Sequence, residues 1–128
     1  MGLLNKLAEG SLRSISKNTV KKARKAYEQA EYSGVNPLLS VRDALFVNLD
    51  KVDECELPSG ILELFSSVAG MCIACATSAI PNYRQADRAF VAKAVFTELL
   101  LWDSDLANEE EISRALQLLG IGAYARPF

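Results

Sequence analysis

The chain has 128 residues, half of them apolar and 23% charged, with 14 Lys and Arg against 16 Asp and Glu and a net charge of −2. That composition builds one core and leaves no room for two. There is no histidine, which excludes Ser-His-Asp and Cys-His catalysis within the chain and removes the commonest zinc ligand.

The opening residues Met1-Gly2-Leu3-Leu4-Asn5-Lys6 lead into a polar, basic stretch with no uninterrupted apolar run, so no secretory signal is read there. Lys6 stands where a myristoylation motif wants Ser or Thr. A cytoplasmic location is expected. Leu4, Leu7, Leu12, Ile15, Thr19, Ala23, Ala26, Tyr27 and Ala30 follow helical spacing, predicting one helix over about 3–33, or two joined near Gly10 and Ser11, with Gly34 as the stop. Asn36-Pro37 is a cap followed by proline at the first helical position, opening a second helix that runs to about Leu49 or Asp50.

An acidic loop follows, with Asp50, Asp53, Glu54 and Glu56. Pro58-Ser59-Gly60 then starts a central helix, with Ser59 as its cap, that ends at Ile80-Pro81-Asn82. Within it, residues 64–80 carry no charge. At about 1.5 Å per residue those residues cover roughly 25 Å, just short of the ~30 Å hydrocarbon layer. Ser66, Ser67, Gly70, Thr77 and Ser78 add little transfer energy, so a buried core helix is read in preference to a membrane span. Ser66, Gly70, Ala74 and Ser78 recur every fourth residue, forming a narrow groove where another helix can approach.

Cys72-Ile-Ala-Cys75 lies inside this apolar run, not at a helix start where the dipole would lower a thiol pKa, so both cysteines are read as core. An odd count of three cysteines does not make a disulfide framework. Asn82 to Gln85 has capping-box spacing and launches a fourth helix ending at Trp102. The same device recurs at Asn108 to Glu111, opening a last helix with Ile112, Ala115, Leu116 and Leu119 inside and Gly120 as stop. No segment alternates with period two for long enough to argue a strand. The expected architecture is therefore all-α: a compact bundle of five or six helices around a buried apolar central helix, about 59–80, in a single domain spanning 1–128.

Charge is unevenly placed. Seven basic residues (Lys6, Arg13, Lys17, Lys21, Lys22, Arg24 and Lys25) lie in the first 25 positions against Glu9 alone, giving +6 there and −8 over the remainder. Lys17, Lys21, Lys22, Arg24 and Lys25 form the candidate basic face, a docking element for nucleic acid or an anionic membrane. Its apolar side has Leu and Ile early and mostly alanine later, thin anchoring for a bilayer, and aromatic interleaving for base stacking is missing. The candidate partner-binding acidic patch comprises Asp50, Asp53, Glu54 and Glu56 together with Asp103, Asp105, Glu109 and Glu110, followed by Glu111. Brought to one end of the bundle, these loops suit a basic protein surface or a divalent cation. They also suit helix capping.

No EF-hand is present, because Ala107 and the lack of a loop glycine break the pattern after Asp103 and Asp105. Residues 102–121, with their acidic loop, helix and Leu-Gly ending, resemble tellurite-resistance TerB-like domains, a likeness that implies an all-helical fold associated with metal-dependent stress systems. It covers about 20 of the 128 residues. The chain lacks the glycine that usually follows the first acidic residues of that loop, and its first half has no counterpart.

Charges set in apolar runs, Glu63, Lys93 and Glu98, read as polar edges of buried helices with outward-reaching stems. Arg84 and Arg88 are spaced to clamp an anion, with Asp87 beside them. No metal, cofactor or catalytic residue is assigned. The expectation is a non-catalytic helical protein of inhibitor, immunity or adaptor type that presents acidic loops to a basic protein, with basic-helix docking and a metal-associated TerB-like role as alternatives. Pairing of the opposite-sign surfaces between two copies is compatible with these charges.

Overall fold

The computed structural model describes residues 2–46, 61–78 and 85–121. The acidic loop with Asp50, Asp53, Glu54 and Glu56, the Ser59 start and the Asn82 cap lie outside the described residues, as do Cys55, Arg84 and the side chains of Lys6, Glu9 and Glu63. Among the described residues the fold is all-α, with helices α1 (Gly2–Ser33), α2 (Pro37–Leu45), α3 (Val68–Ser78), α4 (Gln85–Trp102) and α5 (Glu109–Leu118). Two 3-10 turns, Ile61–Ser66 and Ser104–Leu106, complete it.

The first helix is continuous through Gly10 and Ser11, settling the choice between one helix and two. It stops where expected. Gly34 takes φ +74°, and Val35 N–H reaches back to the Ala30 carbonyl at 3.0 Å, a left-handed C-terminal motif that a side chain would oppose. Gly120 repeats it at φ +72°, with Ile121 N–H on the Leu116 carbonyl at 2.9 Å. Asn36 caps α2 through Leu38 N–H, and Asn108 caps α5 through Glu110 and Glu111 N–H.

Two expected boundaries are corrected. The second helix ends at Leu45, with Phe46 turning out of helical geometry to pack edge-on against Phe65 at 5.0 Å. The central run is not one helix from 59 to 80. Residues 61–66 form a 3-10 turn, and Ser67 then caps α3, its hydroxyl accepting Gly70 N–H at 3.0 Å. The bend folds the chain back so far that the Leu64 carbonyl lies 2.5 Å from where a Cβ on Gly70 would stand. Only glycine fits there. The fourfold spacing of small residues is thereby divided: Gly70 and Ala74 are buried, while Ser66 and Ser78 are exposed.

The core is the one composition promised. From Val68 to Thr77 every residue of α3 except Cys75 is buried, and Met71, Cys72 and Ile73 are wholly so. Val91, Val95 and Leu99 of α4, Ile112 and Leu116 of α5, Val41 of α2 and Val20 and Ala23 of α1 surround it. Burial of such side chains contributes about 1.5–3 kcal/mol each against the chain's conformational entropy.

Helix directions follow from specific contacts. Ser16 donates its hydroxyl to the Val91 carbonyl at 3.2 Å, and Tyr27 meets Trp102 edge-on at 5.6 Å. Contacts therefore advance together along α1 and α4, which run parallel. Cys75 of α3 reaches the Leu45 carbonyl of α2 at 3.7 Å, while both helices begin beside one another near Asn36 and Ser67. So α2 and α3 are parallel too, and opposed to α1 and α4.

Candidate functional site

One end of the bundle gathers the start of α2 (Asn36 to Leu38), the start of α3 (Ser66 to Val68), the 3-10 turn holding Asp105 and Leu106, Glu111 of α5 and Tyr27 of α1, around a cleft of about 380 Å³. Two further concavities adjoin it. One of about 190 Å³ lies between Leu64, Ser66, Ser67 and Gly70 and the α5 residues Glu111, Arg114, Ala115 and Leu118. The other, about 500 Å³ and open, follows the outer face of α5 from Glu109 to Gln117. All three share Glu111.

Local chemistry explains how these carboxylates are held. Asp103 accepts Asp105 N–H at 2.9 Å, closing the turn after α4. Asn108 Oδ1 accepts Glu110 N–H at 2.9 Å and Glu111 N–H at 3.3 Å, so the three glutamates occupy the first turn of α5. Asp103, Asp105, Glu109, Glu110 and Glu111 are all exposed, and none has an ion-pair partner among the described residues.

Helix dipoles do not neutralise this end. Three helix N-termini, those of α2, α3 and α5, meet two C-termini, those of α1 and α4, so the half-charges sum to only about +0.5. Among the described residues, five carboxylates against Arg114 outweigh that. The capping role of the acidic residues is real and still leaves a negative surface.

Of the predicted acidic patch, the structure brings Asp103, Asp105, Glu109 and Glu110 to one corner, and the other four residues lie outside the described residues. The residue at the centre of the concavities, Glu111, was read from sequence chiefly as a cap. The signal that could have marked it is its place one turn before Arg114 and Ala115 on the edge of an amphipathic helix. Beside the corner, Leu100 and Leu101 are 40% and 75% exposed at the end of α4.

The predicted basic face is exposed along α1 at Lys17, Lys21, Lys22, Arg24 and Lys25. Arg24 pairs with Glu28 at 2.9 Å on the open surface, where such a bond contributes little. Arg13 lays its guanidinium over the Phe90 ring at 5.5 Å. A groove of about 270 Å³ between α1 and α4 is lined by Arg13, Ser14, Lys17, Ala94, Thr97 and Glu98. Lys93 is half-buried, and Arg88 has its Nε buried without a hydrogen-bond partner among the described residues.

The Cys72 thiol sits in the core, whereas Cys75, also expected there, is half-buried at its edge. Burial, with Cys75 adding to it, pushes the Cys72 thiol far up. The Cys75 thiol is also raised by burial, against the opposing pull of Lys22 and a hydrogen bond from Thr19. Both are free, and at Cys75 burial outweighs the pull of Lys22, so neither thiol is lowered as in a reactive cysteine.

Among the described residues no three Cys, Asp or Glu side chains converge to hold a metal, and no helix is long and apolar enough to cross a membrane. Comparison with protein-family models, curated proteins and solved structures gives no match to this chain.

Proposed function

We propose that this chain is a non-catalytic cytoplasmic binding protein, of inhibitor, immunity or adaptor kind, that receives a basic protein surface at its acidic corner. The observation that carries the reading is the convergence of three concavities on Glu111, within a cluster of exposed carboxylates that helix dipoles leave uncompensated. A negative, concave surface beside exposed leucines matches the charge and apolar content of a protein interface. The absence of histidine from the sequence and the inert setting of Cys72 and Cys75 support a role without covalent chemistry.

The test is affinity capture from native lysate with the full chain, an Asp105→Lys/Glu111→Lys variant and a Lys21→Glu/Lys22→Glu variant, read by mass spectrometry. The expected result is a basic protein retained by the first and third and lost by the second. Retention that ignores the acidic-corner substitutions, or no protein retained at all, overturns the proposal.

A further inference from the structure

The cleft at the acidic corner is lined by both carbon and charge. Tyr27, Leu38 and Leu106, each partly exposed, share it with the carboxylates Asp105 and Glu111. Those two come from separate elements, the 3-10 turn after α4 and the first turn of α5, and each is held by a local cap: Asp105 N–H on Asp103 at 2.9 Å, Glu111 N–H on Asn108 at 3.3 Å. Neither carboxylate has an ion-pair partner among the described residues. At about 380 Å³ the cleft stands at the small end of ligand-sized cavities, roughly 300–1,000 Å³, which suits one long side chain and not a helix.

Exposed apolar groups gather at the same end. The five large apolar side chains exposed among the described residues are Tyr32, Val35, Leu39, Leu100 and Leu101. They belong to the last turns of α1 and α4, the turn after α1 and the first turn of α2, all at the end of the bundle where the cleft opens. Apolar exposure concentrated in this way, instead of scattered singly, marks an interface.

We infer that the cleft receives an arginine side chain of a protein partner, its guanidinium on Asp105 and Glu111 and its stem on Leu38 and Leu106, with apolar residues beside it on the partner meeting the exposed side chains at this end. The inference rests on the acidic-corner reading and names the group that enters it. Arginine suits the lining better than lysine, because a planar guanidinium can engage two carboxylates at once, is the less hydrated cation and stacks on an aromatic ring such as Tyr27. Its methylenes match the partly apolar walls. An anion fits less well, although α2 and α3 both begin here. Pro37 has no N–H to give, Leu38 N–H is taken by Asn36 Oδ1 at 3.0 Å, and Gly70 N–H by Ser67 Oγ at 3.0 Å. Two carboxylates would also repel it.

The test titrates the isotope-labelled full chain with the peptide acetyl-Leu-Arg-Leu-amide, followed by amide shifts in NMR spectra. Its citrulline and lysine counterparts and inorganic phosphate are titrated alongside. Saturable shifts at Leu38, Leu106 and Glu111 are expected with the arginine peptide. Citrulline keeps the shape and loses the charge, so it should bind about tenfold more weakly, and lysine about threefold more weakly. Asp105→Asn and Glu111→Gln, both at exposed sites, should each weaken the arginine peptide about fivefold.

Absence of saturable shifts, shifts confined to other surfaces, citrulline or lysine binding as tightly as arginine, indifference to both carboxylate variants, or phosphate moving the same amides more strongly overturns the inference. The peptide comparison uses the unaltered chain, so it decides even where a variant unfolds. Ser66→Trp, at an exposed position on the cleft, fills it without altering charge. In capture from lysate, a basic protein lost with Asp105→Lys/Glu111→Lys and also with Ser66→Trp supports insertion. One that Ser66→Trp retains overturns insertion and leaves the acidic-corner proposal standing.

Discussion

Gly70 and Gly10 illustrate how one residue type has opposite effects at two sites. A methyl group on Gly70 meets the Leu64 carbonyl oxygen at 2.5 Å, a backbone atom that moves only if the 3-10 turn moves. Gly70→Ala should therefore cost about 1–3 kcal/mol, as overpacking does, read as a lower urea midpoint. At Gly10, inside α1, an added methyl meets nothing within 4 Å. Gly10→Ala should stabilise by about 0.5–1 kcal/mol by restricting the unfolded chain. The thiols supply a pH signature at the same scale. Both are raised above the ordinary value of 9.0, so the folded state keeps protons that the unfolded state releases. Stability is whole below about pH 9 and falls as pH rises further; alkaline melts of wild type against Cys72→Ala should differ in slope there. Burial of Cys72 was legible from its apolar neighbours. The partial exposure of Cys75 was not, because it depends on where Leu45 and Lys22 come to lie.

At the scale of the element, the ends of helices were more legible than their middles. Gly34, Asn36-Pro37, Asn108 and Gly120 act where expected, because caps are local chemistry read within four residues. The division at Ser67 was hidden, since an uncharged run gives no periodic signal to interrupt, and the bend depends on a glycine admitting a distant carbonyl. Asn108→Ala removes two hydrogen bonds from the first turn of α5. It should cost about 1 kcal/mol and, by loosening Glu110 and Glu111, weaken partner capture at the acidic corner; denaturant titration and capture yield check the two effects separately. In the candidate site the cluster of charges could be seen in the sequence, whereas the clefts around Glu111 arise from three helix starts meeting in space.

For the whole molecule, segregated charge decides behaviour in solution. With no histidine, no side chain has an ordinary pKa between about 6 and 8, so unfolding free energy should be flat across that range; a slope there in urea titrations would contradict it. Association at the acidic corner should slow on the order of tenfold between low and 0.5 M salt, because the screening length falls well below the size of the patch. Stopped-flow mixing with the captured partner measures it.

The hydroxyl of Ser16 on the carbonyl of Val91 joins groups 75 residues apart in the chain, and it has a consequence in time. During synthesis at about 5–20 residues per second, the apolar stripe of α1 waits about 4–15 s for its parallel neighbour to be made. Until α3, which also packs on α1, is made, the described helix with which α1 can cover itself is α2, its hairpin neighbour, so the nascent chain depends on the Gly34 turn long before the finished bundle does.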